Sequence, residues 1–174
     1  MTTPLVVGLD LSITATGICD ARGNCRTVGG PSTMGDGRLV TIADAVIFDI
    51  GLDEWLAKNT LVVIEDIPTH AHGAGITAMV HGAVRSRLVD QGTPYVLVPP
   101  ATLKKYATGK GNATKADMAV ALYKRAGLEL ADDNQVDAWF LRAAGLHHLG
   151  HPVIDVPAAQ AAALDRITWP EVTA

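Results

Sequence analysis

The sequence contains no long apolar run, and this absence excludes a transmembrane helix. No segment approaches the roughly 18 consecutive apolar residues of a membrane span, although 48% of the 174 residues are hydrophobic. The first residues, MTTPLVVGLD, also lack the basic flank and cleavage site of a signal peptide. We therefore expect a soluble, cytoplasmic chain with one compact core and no membrane partner.

Cysteine is scarce, and positive charge is not in excess. Cys19 and Cys25 are the two cysteines, and their placement about Arg22 and Gly23 predicts reduced cross-strand neighbours in a hairpin. Two thiols alone lack the second half of a zinc pattern. The 14 basic and 18 acidic residues give a net charge of −4, which argues against a generic nucleic-acid coat protein. A metal-dependent nuclease is compatible with this charge, because bound cations neutralise its carboxylates.

Apolar strands that alternate with helical patterns predict a mixed α/β sheet with helices on both faces. The sequence shows neither an internal repeat nor an interdomain linker, and we expect the core domain to span residues 1–150, followed by a tail, 151–174. The strands are expected near Leu5–Leu9, Thr16–Asp20, Asn24–Val28, Leu61–Ile64 and Tyr95–Val98. The helices are expected near Arg38–Ala57, Ile76–Val89, Thr114–Ala126, Ala131–His148 and Pro157–Ile167, and a short helix is expected from Pro100 or Ala101 to Tyr106.

Asp10 follows the first apolar strand, in the stretch LVVGLDLSITATG. Gly8 within that strand permits the close approach of another backbone. A carboxylate at the edge of the core needs a partner or a cation, because an unpaired buried charge is costly. The alternative is that Asp10 caps the turn made by Ser12 and Thr14.

Two further segments carry acids at comparable places. Glu65 ends the strand LVVI, and Asp133 and Asp137 lie four residues apart on one face of the helix that begins in ADDNQVDAWFL. Helix capping explains Asp132 and Asp133 well, but it explains Asp137 poorly, because apolar residues surround it. In such sheets, ligand-binding sites form at the carboxyl ends of the strands. Acids from three segments therefore predict a two-metal phosphodiester site that binds Mg²⁺ through oxygen ligands.

These motifs resemble those of the RuvC Holliday-junction resolvases, most closely the phage-type branch. The resemblance rests on GLDLSITATG, IEDIPTHAHG, TGKGNATKADM and DDNQVDAWFLRAAG, and it extends from Leu5 to about His148. It implies an RNase H-like fold and a Mg²⁺-dependent homodimer, in the host cytoplasm if phage-encoded, that resolves four-way and other branched DNA by paired nicking. Two metal ions per site are implied, with Mn²⁺ as a substitute. Asp10, Glu65 and Asp137 match the metal-binding acids, and Asp133 would replace the fourth acid, where this chain has Asn134.

A lysine-rich segment lies between the second acidic strand and the last acidic helix. Lys104, Lys105, Lys110 and Lys115 cluster around a glycine-rich loop, TGKGNATK, which is typical of phosphate binding although single lysines are usually only solvated. Lys115 resembles the functional lysine of the resolvases and is expected to stabilise charge on the scissile phosphate. His70 and His72 follow Glu65 and are further candidates for DNA contact. His147 and His148 lie too far along the helix from Asp137 to share its metal.

Two other functions compete with the nuclease. The strand, Asp and Thr-Gly turn also fit the first phosphate loop of an actin-like ATPase or sugar kinase, but 174 residues supply only one of its two lobes. The absence of an acid at Asn134 would fit a DNA-binding module without catalysis. For a resolvase, a two-fold junction predicts a two-fold dimer. We expect its interface on the helix Ile76–Val89, around Ala78, Met79, Val80, Gly82 and Ala83.

Overall fold

The computed structural model describes residues 4–51, 53–67 and 74–172. The strands are β1 (Leu5–Asp10), β2 (Thr16–Cys19), β3 (Cys25–Val28), β4 (Thr60–Glu65) and β5 (Tyr95–Val98). The α-helices are α1 (Gly37–Ile50), α2 (Glu54–Asn59), α3 (Ala74–Gln91), α4 (Pro100–Thr108), α5 (Lys115–Ala126), α6 (Asp133–His148) and α7 (Ala158–Ala161). None of the described helices is long and apolar enough to cross a membrane.

The five strands form one mixed sheet in the order β3-β2-β1-β4-β5. β1, β2 and β3 form an antiparallel meander, whereas β4 and β5 add to β1 in parallel. This topology confirms the strands predicted from the apolar runs. The cross-strand pairing of Cys19 with Cys25 is also confirmed, and both thiols are free.

Helices cover both faces of the sheet, as predicted, and each face has its own apolar core. On one face, α1 and α3 bury residues such as Ile42 and Val84 against Leu9 and Ile64. On the other face, α4, α5 and α6 pack over residues such as Val6, and α6 is buried along most of its length. The end of the sheet at which β1, β4 and β5 terminate therefore lies between the two helical layers.

Two predicted helices differ from the structure. The helix predicted over Arg38–Ala57 is divided into α1 and α2, because Gly51 adopts φ of +104°, which ends α1. The helix predicted over Pro157–Ile167 is reduced to α7 and a short 3₁₀ turn, Leu164–Arg166. The alanine content predicts a helix there, but tertiary packing determines the backbone conformation of such a short segment.

The helix α3 presents fewer residues to a partner than the sequence suggested. Val80 is fully buried in the core against the sheet, so it cannot belong to an outer interface. Ala78, Met79 and Gly82 are exposed, and Ala83 is half-buried. The exposed face of α3 is therefore narrower and centred on Met79.

The segment after α6 packs closely onto the rest of the chain. Leu164 is buried in the core beneath α4, α5 and α6. The indole ring of Trp169 stacks on the imidazole of His148 at a centroid distance of 4.2 Å. Arg125 on α5 donates hydrogen bonds to the Asp155 carbonyl at 2.7 Å and to the Gln160 side chain at 2.8 Å. These contacts fix residues 151–169 against the helical layer.

Candidate active site

Two acids leave neighbouring parallel strands side by side. The register pairs Leu9 of β1 with Ile64 of β4, so that Asp10 and Glu65 follow at the same level of the sheet. After Asp10 the chain makes a turn that is closed by two hydrogen bonds between Ser12 and Thr16. The Ser12 amide donates to the Thr16 hydroxyl at 3.0 Å, and this hydroxyl donates to the Ser12 carbonyl. The turn is thus closed by Thr16, which leaves the Asp10 carboxylate to face the neighbouring acids.

The third acid reaches this edge because α6 lies directly on the sheet backbone. A Cβ atom on Gly8 would lie 2.0 Å from the Ala138 carbonyl oxygen, and one on Gly17 would lie 2.1 Å from the Asn134 carbonyl oxygen. Both distances are far shorter than any real Cβ contact, so only glycine permits this packing. The close approach predicted from Gly8 is confirmed, and it brings Asp137 beside Asp10.

Asp10, Glu65 and Asp137 form one compact carboxylate cluster. One oxygen from each lies within 4.8 Å of the others, which is a spacing that a shared cation can bridge. Divalent cations such as Mg²⁺ prefer oxygen ligands of this kind. The acids come from three separate parts of the chain, and the fold brings them together as the sequence predicted.

Burial and mutual repulsion disfavour ionisation of the cluster when no cation is bound. Burial, followed by the nearby Asp137 and Asp133, raises the pKa of Asp10 to about 7. Burial and the charges of Asp10 and Asp137 raise the pKa of Glu65 to about 8. Burial raises the pKa of Asp137 to about 6, against the opposing charge of Lys104. Such a cluster favours a bound cation, which removes the repulsion.

Asp133 lies on α6 beside the cluster but is engaged differently. Its carboxylate forms an ion pair with the Lys115 ammonium at the start of α5, across the gap between the two helices. That contact lowers the pKa of Asp133 and raises the pKa of Lys115. Asp133 is therefore paired with Lys115. The cap of α6 is Asp132, whose carboxylate accepts a hydrogen bond from the Gln135 backbone amide at 2.9 Å.

A residue that the sequence did not indicate ties α6 to the meander. The Thr27 hydroxyl on β3 donates to the Asp132 carboxylate, and the Gln135 amide group donates to the Thr27 oxygen at 3.0 Å. Thr27 is 105 positions before Asp132, so no local pattern could have revealed it. These bonds fix the first turn of α6, which carries Asp133.

The lysines of the predicted basic cluster occupy different places. Lys104 and Lys105 lie on α4, where the positive charge of Lys104 acts on Glu65 and Asp137. Lys105 faces the segment after α6, and Lys110 lies in the exposed loop between α4 and α5. His70 and His72 lie outside the described residues.

The histidines at the end of α6 belong to the helical packing. His147 meets the Tyr106 ring edge to face at 5.7 Å, and His148 stacks on Trp169. Both contacts are at the far end of the helix from Asp137, in agreement with the spacing argument. Trp139 and Phe140 are buried core residues.

The fold is similar to solved RuvC structures, although sequence comparison finds no relative. The Thermus thermophilus RuvC structure matches with a TM-score of 0.64 and 18% identity, covering 88% of this chain and 99% of that chain. The same protein in complex with a Holliday junction substrate matches with a TM-score of 0.64 and 19% identity over the same shares. No protein-family model and no curated protein matches the chain.

This similarity extends over nearly the whole of the matched protein and identifies the fold. The chain has an RNase H-like fold: a mixed five-stranded sheet with helices on both faces. The carboxylate cluster of Asp10, Glu65 and Asp137 lies at the carboxyl ends of β1 and β4, and it is suited to a divalent metal ion.

Proposed function

We propose that the protein is a Mg²⁺-dependent endonuclease that resolves four-way and related branched DNA junctions. The observation that supports this most directly is the cluster of Asp10, Glu65 and Asp137, whose ligand oxygens lie within 4.8 Å of one another. Its occurrence in a fold similar to a RuvC solved with a Holliday junction substrate supports the choice of substrate. The phage-type branch remains part of this proposal, on the strength of the sequence motifs alone.

The residues fit a site for divalent metal. All three donors are carboxylates, and their raised pKa values show that the cluster is unfavourable in its fully charged form without a cation. Two Mg²⁺ ions, or Mn²⁺ in their place, would supply an activated water and stabilise the leaving oxygen of the phosphodiester. Asp10, Glu65 and Asp137 would hold this metal, and the rigid contact of α6 with the sheet would fix their spacing.

Lysine side chains supply the positive charge that phosphate needs around the acids. Lys115 lies beside the cluster, paired with Asp133 and within the influence of the Asp137 and Asp10 charges, and its ammonium would contact the scissile phosphate. The positive charge of Lys104 on α4 opposes the rise in the pKa of Glu65 and Asp137. Lys104 would orient the DNA strand that carries the scissile phosphate. Lys105, Lys110, His70 and His72 would contact the flanking DNA backbone. These contacts position DNA without reading its sequence.

Paired nicking of a two-fold symmetric junction requires two active sites related by two-fold symmetry. We therefore propose a homodimer. The exposed face of α3 around Ala78, Met79 and Gly82 is the proposed interface. Static light scattering at micromolar concentration would contradict this proposal if it gave the monomer mass of 18.2 kDa for the protein alone and the mass of a single protein chain plus DNA for the complex with the junction.

A cleavage assay on matched DNA substrates tests the function. The purified protein would be incubated with four-way, three-way, flap and linear duplex DNA in Mg²⁺, in Mn²⁺ and in EDTA. We expect symmetric nicks in the four-way junction that need metal, with little cleavage of linear duplex. Binding of the junction without nicking in either metal would instead support a non-catalytic junction-binding module. Equal cleavage of linear duplex would contradict structure selectivity.

A further inference from the structure

We propose that the segment after α6 builds a second DNA-phosphate site together with α4, in which Lys105 and Arg166 bind the backbone of a junction arm. This inference rests on the proposed function and assigns a role to a segment that lies outside the resolvase motifs. The site is a cavity of about 350 Å³ between α4, the loop after it and the segment 159–166. Its ligand would be a phosphodiester group beyond the scissile one.

The lining of this cavity has the chemistry of an anion site. Lys105 and Arg166 supply two cations and Thr102 supplies a hydroxyl, and none of the described lining residues is acidic. The remaining lining residues are small, namely Ala101, Gly111, Ala159, Ala162 and Ala163. In a chain with 18 acidic and 14 basic residues, two cations in one cavity without a nearby carboxylate in the lining are well suited to phosphate.

Arg166 is held in place by a well-packed backbone. It ends the 3₁₀ turn Leu164–Arg166, in which Leu164 is only 4% exposed. The amide of Ile167 donates to the Leu164 carbonyl at 3.1 Å, and the Trp169 indole donates to the same carbonyl at 3.4 Å. Because the backbone is already fixed, this segment need not be ordered when Arg166 binds a ligand, and this lowers the entropy cost of binding.

The loop that closes the cavity is also fixed by the segment after α6. Gly111 approaches α4 so closely that a Cβ atom on it would lie 3.2 Å from the Ala101 carbonyl oxygen. Gln160 reaches Gly109, where an added Cβ would lie 3.0 Å from its side-chain nitrogen, and Gln160 is itself held by Arg125. The cavity is thus assembled from three parts of the chain that are fixed to one another.

The cavity lies on the catalytic side of the molecule. The helix α4 follows β5 directly, and β5 ends at Val98, which pairs with Glu65 in the parallel register. Lys104 acts on Glu65 and Asp137, and the adjacent Lys105 points into the cavity. DNA whose scissile phosphate lies at the acids would therefore pass from Lys104 to Lys105 and Arg166.

Salt-dependent binding of a four-way junction tests this site. Lys105→Gln, Arg166→Gln and the double variant would be compared with Lys58→Gln, measuring dissociation constants by fluorescence anisotropy at several salt concentrations in EDTA. Lys58 is the matched control, because it pairs with Glu54 on α2, immediately before β4 and hence at the opposite edge of the sheet. Circular dichroism melts would verify that each variant folds.

Each single cavity variant should reduce the magnitude of the slope of log affinity against log salt by about one, and the double variant should reduce it by about two. The Lys58→Gln slope should stay at the wild-type value. If the wild type binds the junction and the double variant keeps its slope, the site is refuted while the proposed function stands. If the wild type binds no DNA, both are refuted.

Discussion

The ammonium of Lys115 and the carboxylate of Asp133 form an ion pair beside the carboxylate cluster. Their side chains are 77% and 36% exposed, and exposed pairs of this kind contribute only about 0–1 kcal/mol to stability. Stability therefore does not explain the pair. We propose that Asp133 orients Lys115 toward the substrate phosphate, whereas the family resemblance implied a fourth metal ligand.

A double-mutant cycle distinguishes these two roles of Asp133. Lys115→Ala should slow cleavage on the order of 10²-fold, because a group that stabilises transition-state charge is lost. Asp133→Asn should slow it less and should add nothing in the Lys115→Ala background, since coupled residues are not additive. Single-turnover cleavage measures the rates, and calorimetric titration with Mn²⁺ measures the metal affinity. Additive losses, together with weaker Mn²⁺ binding by Asp133→Asn, would show that Asp133 is a ligand.

The variants Asp10→Asn, Glu65→Gln and Asp137→Asn should each abolish nicking, with losses of at least ~100-fold, because each removes a charge that holds metal. Binding of the junction in EDTA should be retained or slightly stronger, since negative charge near the phosphates is removed. Gel-based nicking and anisotropy provide the two measurements. Near wild-type nicking by Asp10→Asn in Mg²⁺ would contradict the proposed metal site.

The raised pKa values predict an unusual dependence of stability on pH. Asp10, Glu65 and Asp137 have folded pKa values of about 7, 8 and 6, well above their ordinary values of 3.8 to 4.5. The folded state therefore favours their neutral forms. This stabilisation is fully present below about pH 4 and is lost progressively as the pH rises from there through the folded values, up to about pH 8. Without metal, the melting temperature should fall over that interval.

Mg²⁺ should restore this lost stability, with a larger effect at pH 8 than at pH 5, because the ion binds the ionised carboxylates. Thermal melts in EDTA and in Mg²⁺ across pH 5–9 would measure both effects. The Asp10→Asn variant is the control, and its metal-free curve should be flatter than that of the wild type. A wild-type melting temperature that rises with pH in EDTA would contradict the assigned environment of the cluster.

Gly8→Ala should destabilise the protein and impair the site together. The new methyl group would meet the Ala138 carbonyl oxygen and the Arg142 amide, at 2.0 and 2.6 Å, and neither backbone atom can move alone. Displacement of α6 should cost about 1–3 kcal/mol or more. Gly37→Ala is the matched control, because Gly37 is exposed and an added Cβ there meets only the Met34 Cβ at 4.0 Å, an ordinary contact. Urea denaturation should show a loss for Gly8→Ala and none for Gly37→Ala.

The central strands of the sheet could be predicted from the sequence because they are almost fully buried. The runs around Val7 and Val63 are apolar on both faces, as expected for strands between two helical layers. The acids Asp10 and Glu65 could be placed because each ends such a strand. Asp137 could be placed because its apolar neighbours leave capping as a poor explanation.

The features that were not predicted depend on tertiary contacts. The break at Gly51 reflects a left-handed backbone that helical spacing does not encode. The pairing of Asp133 with Lys115 depends on how α5 packs against α6. The burial of Leu164, rather than helix propensity, determines the backbone conformation of the alanine-rich segment 157–167. In each case, residues distant in the sequence determine the local outcome.

The close contact of α6 with Gly8 and Gly17 has a consequence for synthesis and folding in the cell. Residues 10 and 65 emerge from the ribosome long before residue 137, and the helix that carries Asp137 can dock only on a formed sheet. A partly made or misfolded chain therefore has an incomplete set of metal ligands. The proposed nuclease activity would thus be confined to correctly folded molecules.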